Sequence, residues 1–188
     1  MAQQAPLPVP FIIIIISLLV SAGSGSGQES TWAKKVKTSD GATITNLQFY
    51  FHDTFSGKDP TAVRVAEPSS QAWNLFGAMV MVDDKLTEGY DAESKLVGRA
   101  QGLYGSASQS GLGLIMAITY RFLDGEYEGS SFSVLGLNQA LYLTREMPVV
   151  AGTGKFRMAK GFVIAQTQWV DVTGSGDAIV WYNVTLFH

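Results

Sequence analysis

The sequence predicts an all-β protein, an eight-stranded antiparallel β-barrel with a central ligand pocket, and three observations lead there. Apolar and polar residues alternate with period two over segment after segment, as in residues 47–53, 114–122 and 178–187. Glycine is abundant, with 20 residues, and marks strong turn sites such as Asp124-Gly125 and Gly152-Thr153-Gly154. Long 3.6-residue patterns are lacking. About eight strands joined mostly by short turns suit a closed barrel with a ligand-sized interior.

The chain has 188 residues, enough for one domain with a substantial core. Its net charge of −3 and pI near 5.3 give no basic footprint for nucleic acid or an anionic membrane surface. Residues 1–27 read as a secretory signal and processing region. Phe11 opens an apolar run of about ten residues, too short to span a bilayer, that leads into Ser21, Ala22, Gly23 and Ser24. Secretion into the extracellular space follows as an expectation, with no membrane attachment after cleavage. The chain has no cysteine, so stability has to come from the core, from sheet closure or from oligomerisation. Residues 28–43 are polar and read as a flexible N-terminal segment, and residues 44–188 form the barrel domain. Asn183-Val184-Thr185 is a glycosylation sequon, usable if Asn183 faces solvent.

The first strand, residues 47–53, sets Leu47, Phe49, Phe51 and Asp53 on one face and Gln48, Tyr50 and His52 on the other. A carboxylate on an apolar face is either hydrogen-bonded structurally or stands at the wall of a wet pocket. Residues 55–70, with Gly57, Pro60 and Pro68, read as a long irregular connection. Residues 75–82 form an apolar run ended by Asp83-Asp84. Neighbours in a strand point to opposite faces, so that acidic pair is read as turn-capping and given no chemistry. In residues 97–108 one face carries Gly98, Ala100, Gly102, Tyr104 and Ser106. Such small residues leave volume for a cavity wall into which Tyr104 projects, or else permit strong coiling at a barrel corner. A long core strand, 114–122, precedes the Asp124-Gly125 turn and its partner strand.

Alternation then places Arg145 with Met147 and Val149, a charge on an apolar face that needs an anion or acceptors there. Asp53 is the candidate counter-charge, directly or across a ligand. Pro148 marks an edge or bulge. With His52 and His188 the only histidines, and no cysteine, a zinc or copper site is poorly supplied. No metal or other cofactor is expected. A Ser-His-Asp triad is disfavoured because His52 lies on the outward face, and the Gly152-Thr153-Gly154 turn lacks the spacing of a nucleotide-binding loop.

Five ordered strings carry a resemblance over essentially the whole chain after residue 27. They are Phe51-His52-Asp53-Thr54 with Pro60-Thr61-Ala62, the run Val97-Gly98-Arg99-Ala100-Gln101-Gly102-Leu103-Tyr104, Arg145-Glu146-Met147-Pro148-Val149-Val150, Gly152-Thr153-Gly154-Lys155-Phe156, and Tyr182-Asn183-Val184. Together they resemble the plant dirigent proteins. The resemblance implies a secreted, apoplastic eight-stranded barrel that assembles as a homo-oligomer, commonly a trimer, with a dimer as the alternative. It implies binding of phenolic small molecules, phenoxy radicals or quinone methides derived from phenylpropanoids, whose coupling the protein steers in lignan-type biosynthesis. Oxidation is left to a separate laccase or peroxidase. Some members are instead catalysts, such as pterocarpan synthases, which dehydrate an isoflavanol through a quinone methide. An apoplastic carrier or carbohydrate-binding barrel is a more distant alternative.

Carried over by position, the resemblance makes Asp53, Tyr104 and Arg145 the catalytic candidates. Asn138, Phe49, Phe51 and Ser106 are the expected ligand-binding residues. Members that form pinoresinol typically carry an acid where this chain has Asn138. Asp53 is then a lone carboxylate, and no enantiopure pinoresinol is expected.

Overall fold

The computed structural model describes residues 31–39, 41–68 and 73–188 and folds them into antiparallel strands. The stretch read as a secretory signal lies outside the described residues. The strands are β1 (Ala33–Lys37), β2 (Thr43–Asp53), β3 (Ala62–Ala66), β4 (Met79–Thr87), β5 (Leu96–Ser106), β6 (Gly113–Phe122), β7 (Ser131–Gln139), β8 (Thr144–Thr153), β9 (Lys160–Val170) and β10 (Ala178–Phe187). Their order is β1-β2-β10-β9-β8-β7-β6-β5-β4-β3, and β2 also pairs with β4. That extra pairing closes β2 and β4–β10 into the expected eight-stranded barrel, and β1 and β3 are short additions along the seam.

The seam is brief. Only Tyr50↔Thr87, Phe51↔Leu86 and His52↔Lys85 join β2 to β4. On one side of these pairs β1 takes over the edge of β2, matching Ala33 with Leu47 through Lys37 with Thr43. On the other side the strands part and the chain at Thr61 enters between them. There the amides of Thr61 and Ala62 donate to the Thr54 carbonyl at 2.8 and 3.0 Å, and the amide of Asp83 donates to the Thr61 carbonyl at 2.9 Å.

Two expectations change here. The loose segment expected over 28–43 is, in its described part, a paired strand preceded by Trp32, which is 3 % exposed and stacks on Phe122 at 5.0 Å. Its lysines face solvent, so alternation could not reveal a strand that is held by ladder bonds and one buried indole. The irregular connection after β2 contains β3, paired with residues 79–82.

The glycines of β5 serve close approach rather than empty volume. A Cβ on Gly98 would meet the Arg121 carbonyl oxygen at 2.5 Å, and one on Gly102, whose φ is +151°, would meet that of Ala117 at 2.2 Å. Coiling of β5 against β6 therefore requires them. The Asp124-Gly125 turn forms as expected, with Gly125 at φ +62° opening a short 3₁₀ turn. Pro148 sits next to the register shift in the β7–β8 ladder, where its ring packs beside Gly136.

Aromatic rings fill one end of the barrel. Tyr120 stacks on Phe132 at 4.8 Å, Phe49 on Tyr182 at 5.6 Å, and Tyr127 on Phe156 at 5.0 Å. With Trp32 and Phe122 they plug the end from which β2 starts. The opposite end, where β2 finishes, stays open.

Trp32 is the anchor by which β1 joins this plug. Trp32→Ala is expected to lower stability by about 3 kcal/mol, the usual scale for deleting a buried indole. Urea unfolding checks it, and unchanged stability would show that β1 packs without contributing.

Candidate functional site

At the open end lies a cavity of about 840 Å³. Every barrel strand contributes to it from the terminus that reaches this end. Phe51 and Asp53 come from β2, Val80 from β4, Tyr104 and Ser106 from β5, Leu114 and Met116 from β6, Asn138 from β7, Arg145 from β8, Thr167 and Val170 from β9, and Ala178, Val180 and Tyr182 from β10. Phe55, Arg64, Trp73, Leu141, Tyr142, Leu143 and Val172 rim the mouth. The antiparallel weave thus gathers residues distant in sequence onto one wall-to-wall space.

One wall is acidic. The Tyr104 hydroxyl donates to Asp53 Oδ2 at 2.7 Å, and Asp53 Oδ1 is enclosed without a hydrogen-bond partner. Burial raises the Asp53 pKa to about 6, against the hydrogen bond from Tyr104 and with a further push from the charge of Asp177. Burial, then the charge of Asp53, drives the Tyr104 hydroxyl far above its ordinary range, so it stays protonated and acts as a donor. Asp53 does not fold back onto the following turn. That role falls to Asp177, which accepts from the amides of Phe55 and Ser56 at 2.7 and 3.0 Å and from the Ser56 hydroxyl.

Another part of the wall is cationic. Buried Arg145 donates from Nε to Asn138 Oδ1 at 3.1 Å, and from Nη1 to Thr167 Oγ1 at 2.8 Å and to the Tyr142 carbonyl at 3.3 Å. Burial lowers its pKa, with the nearby Tyr182 pulling the other way. Among the described residues no carboxylate forms an ion pair with it. The direct Asp53–Arg145 pair allowed by alternation is therefore absent, because neutral acceptors on β7 and β9 hold the guanidinium. Its charge is left free to meet an anion in the cavity.

Of the expected binding residues, Phe51, Ser106 and Asn138 line the cavity, and the Ser106 hydroxyl is engaged with the Asn74 carbonyl. Phe49 does not line it. It is fully buried one turn of the pleat deeper, among Tyr120, Phe122 and Tyr182, and belongs to the core. His52 keeps to the outward side, where it is buried against β4 and its Nε2 lies 2.7 Å from Thr87 Oγ1. Asn183 lies mid-strand in β10, between Gln48 and Ile164, and its side-chain oxygen is enclosed.

The largest correction is Asp84. The expected turn at Asp83-Asp84 does not exist, since β4 continues to Thr87 and sets Val80, Val82, Asp84 and Leu86 inward, all buried. Asp84 is fully enclosed and accepts from the Thr61 hydroxyl, while its Oδ2 has no partner. Burial first, then the charge of Asp53, push its pKa up to about 9. Continuing the alternation of Val80 and Val82 past the acidic pair would have found it. Thr167, inward after Val163 and Ala165, was legible by the same rule.

The structure is a closed antiparallel barrel, plugged at one end by aromatic rings and opening at the other into a cavity lined by a buried carboxyl group and a guanidinium without an acidic partner. The chain belongs to the dirigent family: residues 44–187 match the family described as Dirigent-like protein. It is 55 % identical over 160 residues to Dirigent protein 23 of Arabidopsis thaliana, covering 84 % of this chain and 85 % of that protein. It is 49 % identical over 148 residues to Pterocarpan synthase 1 of Glycyrrhiza echinata, covering 77 % of this chain and 78 % of that protein. The solved structure of the pterocarpan synthase dirigent protein GePTS1 superposes with a TM-score of 0.74, covering 78 % of this chain and 91 % of that one at 49 % identity. That of PsPTS1 gives 0.73 at 48 % identity, covering 77 % and 95 %.

The raised carboxyl at Asp84 has a consequence for stability. Its folded pKa exceeds the ordinary 3.8, so the stabilisation it gives is complete below that value and is lost as pH rises towards about 9. His52 and His188, both shifted down, act below their usual range, and Lys35 and Lys95, shifted up, act above theirs. Between pH 7 and pH 9 the native protein should therefore lose about 1 kcal/mol per pH unit, and Asp84→Asn should flatten that slope. Thermal unfolding across the range checks both, and a level wild-type profile would mean that Asp84 is already ionised at neutral pH.

Proposed function

We propose that this protein binds phenoxy radicals or quinone methides derived from phenylpropanoids within its barrel and imposes stereochemistry on their coupling, while a separate laccase or peroxidase performs the oxidation. The observation that carries the reading is the pairing of a Tyr104-bound carboxylate at Asp53 with the uncompensated guanidinium of Arg145 in one aromatic-lined cavity. A quinone methide is activated when its oxygen is stabilised as a phenolate, which a free guanidinium supplies. Trapping by a hydroxyl then requires a base to take that hydroxyl's proton, and Asp53 with a pKa near 6 is suited to it. Apolar walls keep water from competing for the same carbon.

A second reading is a dehydratase resembling the pterocarpan synthases, in which the same groups eliminate water from an isoflavanol and close the ring on the quinone methide. Asn138 favours it, because a neutral side chain on Arg145 leaves one full positive charge beside the substrate. The 49 % identity to Pterocarpan synthase 1 of Glycyrrhiza echinata supports it as well.

Two assays separate these readings. The purified protein is incubated with coniferyl alcohol plus laccase, followed by chiral chromatography, and with an isoflavanol alone. A directing protein gives no product from substrate alone and alters only the enantiomeric ratio when oxidase is added. With Asn138 in place of an acid, pinoresinol is expected close to racemic, and a strong excess of one enantiomer would show that no acid is needed there. Asp53→Asn should lower whichever activity is found about a hundredfold or more while circular dichroism stays unchanged. Full activity in that variant would exclude Asp53 as the base.

Secretion to the apoplast and assembly as a homo-oligomer, a trimer or a dimer, belong to the same proposal. Outward residues of five consecutive strands form one apolar row in register, Val63, Met81, Leu103, Ala117 and Leu135, with Ile115 and Leu137 beside it. A row of this extent on a disulfide-free barrel favours burial against another copy. Light scattering at micromolar concentration is expected to give an oligomer, and a stable monomer would contradict it.

A further inference from the structure

Two buried carboxyl groups follow the last residue pair of the barrel seam. The seam register Tyr50↔Thr87, Phe51↔Leu86, His52↔Lys85 ends one residue short of Asp53 on β2 and of Asp84 on β4, where Thr61 enters between the strands, and the charge of Asp53 is felt at Asp84. Each of these acids has one oxygen committed, Asp53 Oδ2 to Tyr104 and Asp84 Oδ1 to Thr61. Each also has one enclosed oxygen without a partner, Asp53 Oδ1 and Asp84 Oδ2. Two ionised carboxylates enclosed near each other would repel across a water-poor gap, and a proton kept on one of them removes that repulsion and supplies a donor.

We propose that Asp53 and Asp84 act as one proton-sharing carboxyl pair, in which Asp84 retains the proton and donates it towards Asp53, holding Asp53 ionised as the working base. Asp84 is then a positioning residue. It lies behind the cavity lining and never meets substrate, and it governs when Asp53 can accept a proton. This rests on the reading of Asp53 as the base. During turnover the substrate hydroxyl proton passes to Asp53, the pair then holds two protons, and one returns to product or solvent.

The surrounding charges fit this assignment. Facing the pair are Tyr104 from β5, Tyr120 from β6, Tyr182 from β10, Asp177 from the β9–β10 loop, and Arg64 on β3. Asp83 on the same strand and Arg99 on β5 act on Asp84 from the outer side in opposite senses, and Arg99 is drawn to Asp83, at 3.7 Å. The tyrosines are held protonated by burial and bring no positive charge. Arg64 is paired with Glu67 at 3.4 Å and Arg99 with Asp83, so among the described residues no cation forms an ion pair with Asp53 or Asp84.

Carbon-13 NMR of aspartate-labelled protein reads the pair without any substrate. Asp84 should sit at the protonated carboxyl position at pH 7 and titrate only in the alkaline range. Asp53→Asn should move that titration to lower pH by about one unit or more, since it removes the facing charge. Asp84→Leu, which cannot donate, should move the Asp53 titration upward, and Asp84→Asn, which keeps an N–H donor, should move it less. An Asp84 that is ionised at pH 7, or whose titration ignores Asp53→Asn, overturns the proposal, and the wild-type spectrum decides the first point even if a variant fails to fold. The activity assays answer separately whether Asp53 is the base, because the acid limb of the pH–rate profile should follow the NMR midpoint of Asp53 in each variant. A limb that stays put while the NMR midpoint moves would count against Asp53 as base and leave the shared proton standing.

Discussion

Three residue pairs close this barrel. The contact of β2 with β4 is the shortest in the ring, yet it turns an open sheet into a vessel, and β1 and β3 cover the edges that the short seam leaves exposed. The arrangement of the cavity depends on it. Ending the seam after His52↔Lys85 lets Thr61 enter, parts the strands, and brings two acids to the interior at the gap.

The barrel is divided along its length into a packed half and a hollow half. Stacked aromatics fill the first to the exclusion of solvent, and their packing fixes the starting ends of the strands. The second half is left hollow and holds the cavity of about 840 Å³. Its charges are held by neutral partners, Tyr104 for Asp53, and Asn138 and Thr167 for Arg145. Neutral partners fix geometry without cancelling charge, so the cavity presents a carboxyl group and a guanidinium that no counter-charge within the protein occupies. A direct ion pair between them would have given a more ordinary core and an inert pocket.

Much of this was legible in the sequence. Period-two alternation alone selected Asp53, Tyr104 and Arg145, because a charge or hydroxyl out of place on an apolar face is visible without coordinates. Counting strands gave the eight of the barrel. Alternation failed where it was stopped too early, at Asp83-Asp84, since two adjacent acids look like a turn although only one of them faces inward. It failed for Phe49, which shares a face with Asp53 but lies deeper, because a face has no depth in a sequence. β1 escaped notice because its hold on the barrel is backbone pairing and a single tryptophan outside the strand itself.

Asp53 and Arg145 line different parts of one cavity wall, and the proposed chemistry requires both to serve a single ligand. A crystal structure of the protein with a bound phenolic substrate analogue measures this directly. The phenolic oxygen is expected within hydrogen-bond distance of the Arg145 guanidinium, with the ligand's aliphatic hydroxyl turned to Asp53 and the Tyr104–Asp53 bond retained. A ligand seated outside the barrel, or an Arg145 that closes onto Asp53 and leaves the phenol to solvent, would contradict it.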